Sequence, residues 1–311
     1  MNTFLDNVRT AQYVLIIGPV IGAMCAILSV YVVLRRMALI SEGVSHAAFG
    51  GISVALLGGY WIESFNQPIW WEIIAAVFCI TTALLIGWVS RKKRVTEDSA
   101  IGIFLVTSVA LGQILLQIRK MLGGQTPPNV ESLLFGQFVN VNLTDLVVVS
   151  TVLLIVVLII SLLFHQFLYT TLDEEMARIN GVNTRLINFL LLTMISLVIV
   201  VCVRMVGSLI ITALMIIPGA TANMLSRKFS GVMIASLVIG TLGTSAATTI
   251  AIIPPFSKLS TGPLVVLTLF MIFLVVWTIR HFFKPKAGDT TESQPTPEQA
   301  LPSTFGHGHS H

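Results

Sequence analysis

The chain has 311 residues, 55% of them hydrophobic and 10% charged, with a formal net charge of +4 and a mean hydropathy of +0.91. This composition excludes an ordinary soluble domain, because apolar runs near the roughly 20 residues needed to cross a bilayer recur throughout. The basic excess does not indicate nucleic acid, since the lysines and arginines are scattered at the ends of the apolar runs, where membrane topology is encoded.

Nine runs read as membrane spans, at residues 12–34, 40–60, 69–90, 99–118, 144–168, 186–203, 206–225, 230–253 and 262–283. The expected fold is all-α, a polytopic helical bundle of about nine transmembrane helices. The N-terminus is polar, with Asp6 and Arg9, and no small-residue cleavage site clearly follows the first run, so that span is expected to stay in the mature protein. With the N-terminus outside, thirteen lysines and arginines fall on the cytoplasmic side, among them Arg35, Arg36, Arg91, Lys92, Lys93, Arg94, Arg178 and Arg185, against five outside. The positive-inside bias then places the C-terminus in the cytoplasm.

The second span is introduced by Arg35-Arg36-Met37-Ala38-Leu39-Ile40-Ser41-Glu42-Gly43-Val44-Ser45-His46. Four residues advance an α-helix by about 400°, so Glu42 and His46 share a face and can point at one ion. An ionisable group at bilayer depth costs about 2.5–3.5 kcal/mol on insertion scales, which makes it a functional-site hypothesis by default. Carboxylate oxygen with neutral imidazole, and no thiolate, suits manganese, iron or zinc. Two ligands are too few for tight binding, as a transit site requires. The alternative is structural: His46 bonded to a neighbouring helix, and Glu42 neutral or paired with Arg35 or Arg36. Gly43, Ala47 and Gly51 recur every fourth residue and allow close helix approach beside the pair.

Farther along, Trp61, Trp70 and Trp71 bracket a loop as interfacial aromatics do. Glu97 and Asp98 begin a helix, and Gly123-Gly124 with Pro127-Pro128 mark an outer loop. His165 and His281 read as interfacial. Cys25, Cys79 and Cys202 lie inside apolar runs without CxxC spacing, as small core residues. Residues 171–185 read as a short helix between spans, with Asp173, Glu174 and Glu175 at its start, Ala177 and Arg178 within it, and Gly181-Val182 at its stop. Such a helix can dock in a groove on a soluble partner or rest on the membrane. Only Arg204 and a short turn separate the sixth and seventh spans, which could instead be one broken helix. Pro218-Gly219 and Pro254-Pro255 mark helix ends or kinks.

The transmembrane domain thus covers 1–283. The remainder, 284–311, is rich in Pro, Ser, Thr, Gly and acidic residues and reads as a disordered cytoplasmic tail. It ends in the alternating triad His307, His309 and His311, a possible weak, peripheral metal site. Neither a GxxxxGK[ST] loop nor an HExxH helix occurs, so the chain is read as a non-catalytic subunit rather than an ATPase or an intramembrane zinc protease.

The run from Arg35 to Ala47 resembles the permease family of manganese, zinc and iron ABC importers. Leu134-Phe135-Gly136, Ala177 with Gly181-Val182, and Val206-Gly207-Ser208-Leu209-Ile210 running to Ile217-Pro218-Gly219-Ala220-Thr221-Ala222 look like that family in the same order, over about residues 11–283. The resemblance implies a dimer of permease subunits, with a second copy or a paralogue, two cytoplasmic ABC ATPases that bind the ATP, and an extracellular solute-binding protein that delivers the metal. It implies the inner or plasma membrane of a prokaryote. It also associates Glu42 and His46 with the metal path, the family usually having aspartate where Glu42 stands, and makes the Asp173–Arg185 loop a coupling helix. No permanently bound cofactor is implied. The cargo is expected to be manganese, with zinc or ferrous iron as alternatives. A proton-driven secondary metal carrier is the competing class, although no inverted repeat is evident.

Overall fold

The computed structural model describes residues 2–62, 67–91, 95–124, 143–253 and 261–282. Among the described residues there are eleven helices, nine of them long and apolar enough to cross a membrane. They are α1 (Asn2–Leu34), α2 (Ala38–Trp61), α3 (Pro68–Arg91), α4 (Glu97–Met121), α5 (Leu143–Leu162), α6 (Phe164–Leu172), α7 (Glu174–Ile179), α8 (Thr184–Val206), α9 (Ser208–Leu225), α10 (Phe229–Ile252) and α11 (Thr261–Phe282). The all-α bundle read from the hydropathy pattern is the fold observed. The Leu134–Gly136 segment, Pro127-Pro128, Pro254-Pro255 and the terminal histidines lie outside the described residues.

Two groups of helices make the bundle. In one, α2 is flanked by α3 and α4; in the other, α1 lies against α9 and α10, and α11 closes over α9 and α10. Contacts of α2 with α8 and α9, and of α3 with α8, join the groups. Lipid is as apolar as leucine, so the hydrophobic effect does not hold such helices together, and close packing between small residues must do so. The structure shows where this happens. A Cβ on Gly22 of α1 would come within 2.5 Å of the Gly240 carbonyl of α10, and one on Gly240 within 2.6 Å of Ala26 Cβ. Ser236 Oγ donates to the Ala26 carbonyl at 2.8 Å along the same seam. The corresponding seam of α2 uses the residues singled out in the sequence. A Cβ on Gly51 would sit 2.7 Å from Ala75 Cα of α3, and one on Gly43 3.0 Å from Ile101 of α4.

Two interruptions differ from a simple series of spans. The fifth run is not one helix over 144–168. It ends at Leu162, and α6 starts at Phe164 after Leu163 leaves helical geometry. The cause is an aromatic cluster: Phe167 packs on Tyr31 with ring centroids 5.6 Å apart, and Phe164 packs on Phe229 at 5.8 Å, which draws α6 onto α1 and α10. Second, α8 and α9 are joined by Gly207 alone, at φ 87°. That left-handed conformation favours glycine and is the physical reason for glycine in the Val206-Gly207-Ser208 segment. Both flanking helices count as spans.

Pro218 lies inside α9 and cannot donate a backbone hydrogen bond. One residue on, the Gly219 N–H donates to Ser29 Oγ of α1 at 2.8 Å. A Cβ on Gly219 would be 2.6 Å from the Ser29 carbonyl oxygen, so α1 passes against α9 at backbone distance. The three cysteines are free and buried, as expected of small core side chains.

Candidate functional site

The site begins at the turn between α1 and α2. Arg36 occupies the left-handed region at φ 58°, uncommon for a residue with a side chain. This places Arg35 back against the bundle, where its Nε donates to Thr171 Oγ1 at 3.0 Å and its Nη1 to Asn188 Oδ1. Burial pushes the Arg35 guanidinium down to about 10, opposed by the nearby Glu174 carboxylate, so it remains charged at neutral pH. The start of α2 is thereby tied to the segment that contains α7.

Along α2, every residue from Ile40 to Gly51 is buried except Glu42 and His46. The side chains of these two retain 30% and 21% exposure, and His46 Nε2 lies 3.1 Å from Glu42 Oε1. Ser41 and Ser45 turn inward on their own helix, bonded to the Ala38 and Glu42 carbonyls at 2.8 and 2.9 Å. A carboxylate and an imidazole therefore form the one open strip on an otherwise sealed stretch of helix. The shared face read from the i, i+4 spacing is the one observed.

Thr212 of α9 stands beside the Glu42 carboxyl, and nothing in the local sequence pattern announces it. Its hydroxyl donates to the Ser208 carbonyl of its own helix at 3.1 Å. Thr212 stands five residues beyond Gly207, and the left-handed glycine that starts α9 positions it. Only the proximity of α9 to α2 could have revealed it. His46 Nδ1 is buried without a hydrogen-bond partner. Ligands about 2.1–2.2 Å from one ion and at a right angle to each other are about 3 Å apart, which matches the Glu42–His46 separation. Among the described residues no group of three or more His, Cys, Asp or Glu side chains could hold a metal, so one chain offers a carboxylate and an imidazole with a hydroxyl beside them.

The other candidates separate from this site. In α7, Asp173 caps the helix by accepting from the backbone N–H groups of Glu175 and Met176, each at 3.0 Å. Gly181, at φ 79°, ends it with the Val182 N–H donating back to the Ala177 carbonyl at 3.0 Å. Glu174 and Arg178 pair across one turn at 3.5 Å. Ala177 is buried, while Met176 and Ile179 are exposed. The short helix and its glycine stop are as the sequence predicted. His165 is exposed and set edge-on to Phe164, and His281 stacks on Trp277 at 5.4 Å.

Among the described residues, then, nine spans enclose a carboxylate–imidazole strip, with a short capped helix between two of them. Comparison with known proteins gives the family and the class. The sequence profile of the ABC 3 transport family matches residues 7–280. The chain is 33% identical over 291 residues, 93% of each protein, to the manganese transport system membrane protein MntC of Halalkalibacterium halodurans. It is 28% identical over 276 residues, 88% of this chain and 93% of the other, to the manganese import system permease protein ScaB of Streptococcus gordonii. Among solved structures, PsaBC from Streptococcus pneumoniae in complex with Fab superimposes with a TM-score of 0.73 at 26% identity, over 89% of this chain and 95% of that one. The chain belongs to the ABC 3 transport family and is a multi-pass permease subunit of a metal-type ABC importer.

Proposed function

We propose that the chain forms the membrane path of an ATP-driven manganese importer, with Glu42 and His46 as the transit ligands. The observation that carries this reading is the 3.1 Å separation of the Glu42 carboxylate and the His46 imidazole on the open strip of α2. Manganese is chosen over zinc or ferrous iron because the ligand set includes carboxylate oxygen and no thiolate, and because the relatives named above are manganese systems. Passing through hydrocarbon with its full charge would be prohibitive for the ion, so the two side chains replace part of its water shell while it crosses. Two ligands hold it weakly enough to let it go. A second permease copy or a paralogue, related by an axis along the membrane normal, would supply a second pair around a common path.

The chain itself performs no chemical step. Cytoplasmic ABC ATPases bind the ATP, and their motion enters through the Asp173–Arg185 segment, with Asp173, Glu174, Glu175, Ala177, Arg178, Gly181 and Val182 as the coupling surface. The exposed Met176 and Ile179 beside a buried Ala177 support that use. An extracellular solute-binding protein delivers the ion, and alternating access changes which side is open. The N-terminus then faces outward and the C-terminus lies in the cytoplasm. His307, His309 and His311 act as a weak peripheral site on the tail.

The test is uptake of radioactive manganese by cells or proteoliposomes containing the chain with its ATPase and binding protein. Uptake is expected to collapse in Glu42→Gln and in His46→Ala while membrane insertion and subunit assembly persist. Normal uptake in both variants would remove the assignment.

A further inference from the structure

A cleft of about 410 Å³ opens at the end of the bundle where α1 passes into α2. It is lined by Arg35, Arg36, Ser90, Thr171, Glu174 and Asn188 among others. A second cavity of about 190 Å³, lined by Leu84, Trp88, Arg185, Phe189 and Leu192 among others, shares Gly87, Asn188 and Leu192 with the first. The two adjoin at these shared residues and differ in character. The cleft, at the ends of the spans, carries the guanidinium groups of Arg35 and Arg36, and the slot, with Arg185 on its wall, runs into the apolar seam between α3 and α8. Trp88 and Phe189, on the walls of the slot, are 57% and 44% exposed.

Among the described residues, the guanidinium groups of the two cavities outnumber the carboxylates beside them. Among the described residues none of Arg35, Arg36 and Arg185 forms an ion pair, and the one carboxylate on the cleft, Glu174, is paired with Arg178. Arg35 spends Nε and Nη1 on the neutral acceptors Thr171 and Asn188, and its Nη2 is buried without an acceptor. Arg36 and Arg185 are exposed. A concentration of positive charge at the membrane–water interface, adjoining an apolar slot at span depth, matches a molecule with an anionic head and a hydrocarbon tail. A soluble anion would leave the apolar half unfilled, and a neutral lipid would leave the charges uncompensated.

The geometry points to a site for an anionic phospholipid, its phosphodiester held by Arg35, Arg36 and Arg185 and one acyl chain lying along Leu84, Trp88, Phe189 and Leu192. The site adjoins α7 and the Arg35 tether, so an occupying lipid would brace the same elements that connect α7 to α2. It is separate from the Glu42–His46 strip and does not depend on which metal is carried.

The experiment is native mass spectrometry of the full-length chain released from a mild detergent, titrated separately with phosphatidylglycerol, phosphatidylcholine and inorganic phosphate. The expected result is a retained phosphatidylglycerol adduct, weakened about tenfold or more in the Arg36→Gln/Arg185→Gln double variant, with little phosphatidylcholine retained. Gly87→Leu tests the apolar half independently. A Cβ at Gly87 would meet Leu192 Cδ1 at 3.3 Å, and the larger side chain should weaken phosphatidylglycerol without changing any charge. Equal retention of both lipids, or unchanged phosphatidylglycerol affinity in the double variant, would overturn the site. Displacement of phosphatidylglycerol by millimolar phosphate would replace it with a simple anion site.

Discussion

The Arg35 guanidinium reaches across the bundle to Thr171, donating from Nε to Oγ1 at 3.0 Å. Thr171 is the penultimate residue of α6, two residues before the Asp173 cap of α7, and Arg35 lies seven residues before Glu42. The contact therefore joins the segment proposed to receive the ATPase to the helix that carries the proposed metal ligands. Hydrogen bonds to a charged donor contribute about 1.5–3 kcal/mol, more than neutral ones, so the tether can transmit a displacement rather than yield to it.

Arg35→Gln should separate the two activities. ATP hydrolysis by the assembled complex is expected to persist near the wild-type rate, and manganese uptake per ATP consumed to fall about tenfold. Parallel measurement of phosphate release and metal uptake in proteoliposomes checks this, and an unchanged ratio would dissociate Arg35 from coupling.

Thr212→Val should weaken transport without abolishing it. The change removes the hydroxyl beside Glu42 while keeping the shape of the side chain, so one polar group is lost from the edge of the strip. A several-fold rise in the manganese concentration for half-maximal uptake is expected. Thr212→Ser, which restores the hydroxyl, should return it to the wild-type value.

The Ser29–Gly219 contact gives a stability prediction. Ser29→Ala leaves the Gly219 N–H without its acceptor, and interhelical hydrogen bonds in membrane proteins contribute about 0.6–2 kcal/mol. Gly219→Ala sets a methyl 2.6 Å from the Ser29 carbonyl oxygen and should cost more, about 1–3 kcal/mol for overpacking. Thermal unfolding in detergent should rank the melting temperatures as wild type, then Ser29→Ala, then Gly219→Ala. The reverse order of the two variants would show that the helices yield at this crossing.

A bulkier substitution at the α1–α10 seam should be more severe. Gly22→Leu places a branched side chain where a Cβ alone already meets the Gly240 carbonyl at 2.5 Å. Loss of the monodisperse peak in size-exclusion chromatography is expected, whereas Gly102→Leu, with open space around its Cβ position, should elute as wild type.

The sequence made the membrane frame legible because each span must satisfy its backbone hydrogen bonds within one apolar run, which leaves a strong local signal. The short helix at Glu174–Ile179 was equally local, set by Asp173 at one end and Gly181 at the other. Glu42 and His46 were found by spacing. Thr212 was not, because it is brought to Glu42 by packing of α9 on α2, and a threonine in a membrane helix has no pattern of its own. The break at Leu163 escaped for the same reason: aromatic contacts with Tyr31 and Phe229 make it, and no glycine or proline announces it. Gly18 and Gly22 did carry a small-xxx-small signal for the α1–α10 seam, one that was as readable as that of Gly43, Ala47 and Gly51.

The most direct test of the transit pair is ATP-dependent uptake of radioactive manganese by proteoliposomes containing the full importer, compared between wild type and Glu42→Gln. The variant keeps size and hydrogen-bonding capacity but removes the carboxylate charge. Uptake reduced at least about tenfold, with ATP hydrolysis and assembly retained, is the predicted result. Wild-type uptake by Glu42→Gln would contradict a metal path through Glu42 and His46.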